Sequence, residues 1–198
     1  MPKTQLDRFL AALARHWPRP ATLLLTGAQA ASTWGRVRFT RDVDFEVAGI
    51  PARLMPAFDQ AVHAARRASG LEAQYSTRID RWSEISLLAY RRTAQPFKRY
   101  GRIEVRVLDP LHWSIGKVAR YLNSDADDLI VVFRRIQPEP LTVARTWARA
   151  LQKSPPSSQL WPVKQQMLDF FRTHARAVWK RPVPMDKIER LFDAKPHD

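Results

Sequence analysis

The stretch ATLLLTGAQAASTWGRVRFTRDVDFEV, residues 21–47, constrains the fold more than any other part of the chain. Its end alternates strictly. Asp42, Asp44 and Glu46 fall on one side of an extended segment, and Val43, Phe45 and Val47 fall on the other. That period fits a strand with one face against a core and one polar face. The run ATLLLT before it is short, apolar and stopped by Gly27, as a buried strand would be. A sheet is therefore required, and two of its carboxylates stand one residue apart on the same side.

The remaining elements follow from period and punctuation. Leu6, Phe9, Leu10 and Leu13 recur at helical spacing over 4–16, with Thr4 as N-cap and Pro18 and Pro20 beyond the end. AQAASTW predicts a two-turn helix ending at Gly35. Pro51 opens a helix over about 51–69, which Gly70 closes. EAQYSTR, EISLLAY and RIEVRVL read as three strands, the last two flanking a long basic loop, RRTAQPFKRYG. After Asp109-Pro110 the pattern is helical, in PLHWSIGKVARYL, SDADDLIVVFRRI and EPLTVARTWARAL. KSPPSS, 153–158, reads as a linker, followed by a helix near 159–178, the rigid RPVP and a short last helix. Ser124 to Asp127 reads as a capping box, with Asp125 and Asp128 favouring the helix N-terminus. Most of the tryptophans, Trp34, Trp82, Trp113, Trp147, Trp161 and Trp179, are expected in cores. The order predicts an α+β chain, with an α/β-type mixed sheet in a core over 1–110 and a helical region over 111–198.

Composition narrows the chemistry. The chain has no cysteine, which excludes disulfides, thiolate catalysis and Cys-based zinc sites. Its net charge of +14 suits polyphosphates, nucleic acid or an acidic protein and disfavours polycationic substrates. The N-terminus, MPKTQLDRFLAALARHW, is amphipathic and lacks the long apolar core of a secretory signal. Apolar runs such as LLL at 23–25 are too short to span a bilayer. A cytoplasmic protein with no membrane partner is expected.

Asp42 and Asp44, at i and i+2 of a strand, lie about 6.5–7 Å apart on one face, and their carboxylates can converge on one point. Such a pair needs a cation. Mg²⁺ (or Mn²⁺) suits carboxylate oxygens and keeps positions for water and substrate phosphates. The alternative is a solvated polar strand face. Gly27, where a strand turns into a helix, leaves bare backbone that a phosphate can approach. Ser32 and Thr33 would add hydroxyls, or the small residues would simply allow close helix–sheet packing.

Together these residues resemble the signature of the DNA polymerase β-type nucleotidyltransferase superfamily: a strand, a Gly-Gly or Gly-Ser turn, a short helix and a strand opening with D-x-D. Arg38, Thr40, Asp42 and Asp44 are similar to the Arg-x-Thr-x-Asp-x-Asp form of the AbiEii/MenT-like toxins and related bacterial proteins. The resemblance covers about residues 20–130 and is most specific over 26–47. Ala28 stands where the family usually has a second Gly or a Ser.

The resemblance implies a nucleotidyltransferase-like core with Asp42 and Asp44 as metal ligands and a third carboxylate on a later strand. Glu104 is the candidate, facing away from Ile103, Val105 and Val107, with Glu84 on the partner strand as runner-up. Glu104 would be a metal ligand or the base toward the attacking hydroxyl; its local reading is a cross-strand ion pair with an arginine. Gly27, Ala28, Ser32 and Arg38 would line the nucleotide, and Lys117 would reach the triphosphate with Arg120 one turn on. Asp127 or Asp128 takes a catalytic role only by this resemblance. His112 either lines the cleft or is an ordinary packed residue.

Lys98, Arg99, Tyr100 and Arg102 interleave cations with an aromatic ring, as a nucleic-acid backbone and an unstacked base require. Arg172, Arg176, Trp179, Lys180 and Arg181 do so more weakly. The expected function is Mg²⁺-dependent transfer of a nucleoside monophosphate from an NTP to an acceptor, RNA such as tRNA, by a toxin or phage-defence component with an antitoxin protein as partner. The other expectation, carried by Ala28, is a catalytically degenerate fold that binds nucleic acid or an acidic partner.

Overall fold

The computed structural model describes residues 4–35 and 40–194. The fold is α+β, with a five-stranded mixed sheet in one compact unit and a second unit of helices. The first unit comprises residues 4–33, 40–79 and 91–108 of the described chain. Helix α1, Gln5–His16, is set by a capping box. Thr4 Oγ1 accepts from the Asp7 N–H (3.0 Å), and Asp7 Oδ2 accepts from the Thr4 N–H (3.2 Å). Strand β1, Ala21–Thr26, is followed by the five-residue helix α2, Gly27–Ala31, and by β2, Asp42–Ala48. A 3-10 turn over Ala52–Leu54 leads into α3, Met55–Ser69, which ends at Gly70 with φ +71°. Strand β3 is Glu72–Ser76, α4 is the single turn Tyr90–Thr93, β4 is Gln95–Tyr100 and β5 is Ile103–Val107.

The strand order is β3-β2-β1-β5-β4. β1 runs antiparallel to β2 and parallel to β5, β2 is parallel to β3, and β4 is antiparallel to β5. The register aligns Val43, Phe45 and Val47 with Leu23, Leu25, Ile103, Val105 and Val107 on one face, all buried. Helices α1 and α3 cover that face. Phe9 meets Phe45 (ring centroids 6.3 Å apart), Phe45 stacks on its cross-strand partner Tyr75 (5.4 Å), and Phe58 meets Tyr75 edge-on (5.4 Å). Each fully buried phenylalanine among these contributes about 1.5–3 kcal/mol. Central β1 buries Leu24 as well as Leu23 and Leu25, so it is covered on both sides.

Three expectations fail here. EISLLAY, 84–90, forms no strand: it is irregular and leads into α4, so Glu84 lies on no strand. The place beside β5 goes to β4, inside the stretch expected to be a loop. The reason is local. Tyr100 pairs with Ile103 across a two-residue turn, Gly101-Arg102, and Gly101 has φ +54°, the positive value that tight hairpin turns need at their first position. That short closure outcompetes a pairing from farther away. Pro96 is tolerated because β4 is an edge strand, and the register shifts between Pro96 and Lys98. The helix expected over AQAASTW stops at Ala31, after five residues.

The second unit takes in residues 34–35, 80–90 and 109–194 of the described chain. The boundary expected after 110 thus falls after 108, and an earlier segment joins the helices. Within this unit the Ser86 N–H donates to Ser154 Oγ (2.8 Å). Its helices are α5, Pro110–Arg120; α6, Asn123–Ile136; α7, Pro140–Gln152; α8, Leu160–Trp179; and α9, Met185–Asp193. Trp147 centres the core, with Phe170 at 5.5 Å, Phe171 at 5.3 Å and Phe133 at 6.3 Å, and its Nε1 donates to Ser114 Oγ (2.8 Å). Trp82 and Trp161 are not core residues; both are exposed. Among the described residues no helix is long and apolar enough to cross a membrane.

Candidate functional site

The end of β1 and the start of β2 build the site. Thr26, the last residue of β1, pairs with Asp44. Gly27 follows with φ +64°. The Asp44 side chain lies directly over it: a Cβ on Gly27 would overlap Asp44 Oδ2 and come within 3.1 Å of Cγ. Glycine is thus required twice, for its backbone angle and for the space. Asp42 stands two residues away on the same face, about 6.5–7 Å along the strand, and is exposed while Asp44 is half-buried. Thr40 fixes the entry to β2. Its Oγ1 accepts from the Asp42 N–H (3.1 Å), and its carbonyl accepts from Gln29 Nε2 (3.3 Å), which ties β2 to α2.

The other nucleotide-lining candidates are placed less directly. Ala28 is a buried residue of α2. Ser32 Oγ donates to the Gln29 carbonyl (2.6 Å) and Thr33 Oγ1 to the Ala30 carbonyl (2.7 Å), so both hydroxyl protons are turned back on the helix. Arg38 lies outside the described residues.

Glu104 shares the face of Asp42 and Asp44 but not their end of the sheet. It pairs with Thr22 on β1, whereas Asp44 pairs with Thr26. Four residues of strand are about 13 Å, and β1 intervenes, so Glu104 does not join the aspartates. Its register neighbour on β4 is Arg99, but the two side chains form no ion pair. The acid closest along β2 is Glu46, to which the pattern of residues alone assigns no role. It is buried and gripped by Arg91, Nε to Oε1 at 2.5 Å and a terminal nitrogen to Oε2 at 3.0 Å, with the Ile79 N–H also donating (3.0 Å). Its period-two spacing from Asp44 is visible in the sequence; its arginine, 45 residues on, is not.

By donor chemistry, Asp42 and Asp44 are of the kind that Mg²⁺ takes. They offer hard carboxylate oxygens from one strand face and leave positions for water and phosphate. Among the described residues no group of three Asp, Glu or His side chains gathers at metal-binding distance.

Lys117 and Arg120 lie in the helical unit and are engaged there. The buried Lys117 ammonium donates to Asp125 Oδ1 (2.9 Å) and Asp128 Oδ2 (2.7 Å) and sits 5.6 Å from the Trp113 ring centre. Arg120 binds Asp125 with two 2.6 Å hydrogen bonds. Burial alone would raise the Asp125 carboxyl, but the Arg120 guanidinium and Lys117 ammonium more than reverse this and hold it below its usual 3.8. Asp125 and Asp128 are therefore the buried partners of Lys117 and not only N-terminal helix acids. The capping box expected from Ser124 shifts as well. α6 begins at Asn123, and Asp125 Oδ2 accepts from the Leu122 N–H (3.4 Å), while Asp127 is exposed. His112 Nδ1 pairs with Asp109 Oδ2 (2.5 Å), and Asp109 also caps α5.

Lys98, Arg99 and Tyr100 lie on β4, with Arg102 in its turn. Lys98 Nζ binds Asp7 Oδ1 (2.8 Å), and the Tyr100 hydroxyl donates to the same oxygen. Partial burial raises the Asp7 carboxyl, yet the hydrogen bonds from Lys98, Tyr100 and Thr4 carry it well below the carboxylate range. Arg99 and Arg102 remain exposed. In comparison with known proteins, the chain matches no family model, no curated protein and no solved structure.

Proposed function

We propose that the chain is a metal-dependent nucleotidyltransferase that moves a nucleoside monophosphate from an NTP to RNA such as tRNA. One observation carries the reading: a glycine at positive φ follows β1 with the Asp44 carboxylate lying on it, and Asp42 shares that strand face. Gly27 puts no side chain between the β1–α2 turn and the Asp44 carboxylate, and Asp42 and Asp44 would hold the ion. Bound Mg²⁺ supplies charge neutralisation at the phosphates. In the reaction an acceptor hydroxyl oxygen bonds to the α-phosphorus, the bond from that phosphorus to the oxygen bridging the β-phosphorus breaks, pyrophosphate leaves, and the hydroxyl proton passes to water. Glu104 takes no part. The net charge of +14 favours a polyanionic acceptor. A role as a toxin or phage-defence component, with an antitoxin as partner, rests on the resemblance alone.

The test is transfer of label from each NTP, labelled at its α-phosphorus, with Mg²⁺ and total bacterial RNA, beside an Asp42→Asn/Asp44→Asn control. Label entering tRNA-sized RNA, and absent with the control, is the expected result. Label on protein keeps the chemistry and changes the acceptor. No transfer from any NTP overturns the reading.

A second reading is a catalytically degenerate protein that binds nucleic acid or an acidic partner. The remote position of Glu104 and the buried Ala28 favour it. It predicts binding that is salt-sensitive and indifferent to Mg²⁺ and NTP.

A further inference from the structure

Helix α7 divides sharply between its faces. Val143, Ala144, Trp147 and Ala148 are buried, while Arg145, Arg149 and Lys153 at its C-cap are exposed. These three follow one another at i, i+4 and i+8, so they form a row about 12 Å long. α7 contains no acidic residue. Three cations of α8 and α9 are neutralised: Lys164 by Asp193 (2.6 Å), Arg172 by Glu189 (2.7 Å) and Arg190 by Asp186 (2.7 Å). Those pairs engage all the acids of α9, the helix packed along α7. Among the described residues, Arg145, Arg149 and Lys153 form no ion pair. Like charges one turn apart repel, so the row is a field with no internal partner.

Trp161, in the first turn of α8, is 70% exposed, the most exposed of the large apolar side chains described. Its position is tied to the row. Gln152 Nε2 donates to the Ala194 carbonyl (3.1 Å), and Lys164, one turn after Trp161, binds Asp193 (2.6 Å). The end of α7 that carries Lys153 and the start of α8 that carries Trp161 therefore converge on the C-terminal end of α9.

We propose that Arg145, Arg149, Lys153 and Trp161 form a binding surface for single-stranded nucleic acid. The cations would lie along successive phosphates, and one unstacked base would rest on the indole. A duplex keeps its bases inside the stack and has none to offer Trp161. An acidic protein matches the charges but gives the indole no flat partner. The surface stands on its own geometry, independently of Asp42 and Asp44.

The test is fluorescence anisotropy of a labelled oligouridylate at several KCl concentrations, without NTP or Mg²⁺. For the unaltered protein, log K falls linearly with log salt. Replacing Arg145, Arg149 and Lys153 by Gln should reduce the magnitude of that slope by about 2, at about 0.7 for each phosphate no longer neutralised. Trp161→Ala should weaken binding about tenfold at every salt concentration with the slope unchanged, and Trp161→Phe should restore most of it. All four side chains are exposed, so thermal unfolding should not fall to lower temperature. An unchanged slope in the Gln variant, or unchanged affinity in Trp161→Ala, overturns the proposal. So does polyglutamate displacing the oligonucleotide as well as unlabelled oligouridylate does at equal charge, which would identify an acidic protein as the partner.

Discussion

Arg91 and Glu46 form a fork of two hydrogen bonds, 2.5 and 3.0 Å, between a half-exposed guanidinium and a buried carboxylate. The pair is asymmetric. Removing the arginine leaves a carboxylate that water barely reaches, with the Ile79 N–H still bound. Arg91→Ala should destabilise the protein by about 2–3 kcal/mol, read as a lower urea midpoint. Glu46→Gln should cost less, since a neutral amide can keep part of the same hydrogen bonding.

Gly27→Ala should be destabilising for two separable reasons. The positive φ of Gly27 costs an alanine roughly 1–2 kcal/mol, and the new methyl overlaps Asp44. Asp44→Ala in the same chain removes the overlap with the carboxylate, leaving the backbone cost and a tight 3.2 Å approach to its Cβ. Unfolding of the two single variants and the double variant should therefore be non-additive, the double falling short of the sum.

Lys117→Met should cost about 3–5 kcal/mol, because it leaves Asp125 and Asp128 buried without their ammonium. Lys117→Met with Asp128→Leu should recover part of that loss in urea unfolding. The pH dependence has a definite sign. The Asp125 carboxyl is lowered in the folded chain, so its contribution is complete above 3.8 and is lost as pH falls through the lower folded value. Asp125→Asn should flatten the acid limb of stability against pH.

Tyr75 gives the opposite limb. Burial first, and then the Asp59 carboxylate that accepts its hydroxyl proton (3.2 Å), push its hydroxyl up to about 12. The stability this provides is complete below 10.0 and lost as pH rises toward about 12. In the Tyr75→Phe variant, that alkaline loss should be smaller when unfolding is followed across this range.

The legible parts of the fold are those with strong local period. α1, β1, β2 and α3 stand where their spacing puts them, because each buries one face or both. β4 is hidden because an edge strand of sequence QPFKRY is mostly exposed and carries a proline, which reads as loop. EISLLAY misleads for the converse reason: Ile85, Leu87 and Tyr90 are buried, but without strand partners. In the site, the shared face of Asp42 and Asp44 follows from alternation alone. The height of Glu104 on the sheet depends on register between strands far apart in the chain, which alternation leaves open. The partners of Lys117 depend on how α5 meets α6.

The order of the strands also fixes how the protein must be made. β1 leaves the ribosome early, but one of its two neighbours, β5, is synthesised only after β2, β3 and the excursion through 80–90. At elongation rates of about 5–20 residues per second, the nascent chain carries one uncovered edge of β1 for roughly 4–16 s. A chain stalled before Ile103 would present the backbone of LLL to other nascent chains. Until then, the most apolar strand of the sheet has one edge without its native partner.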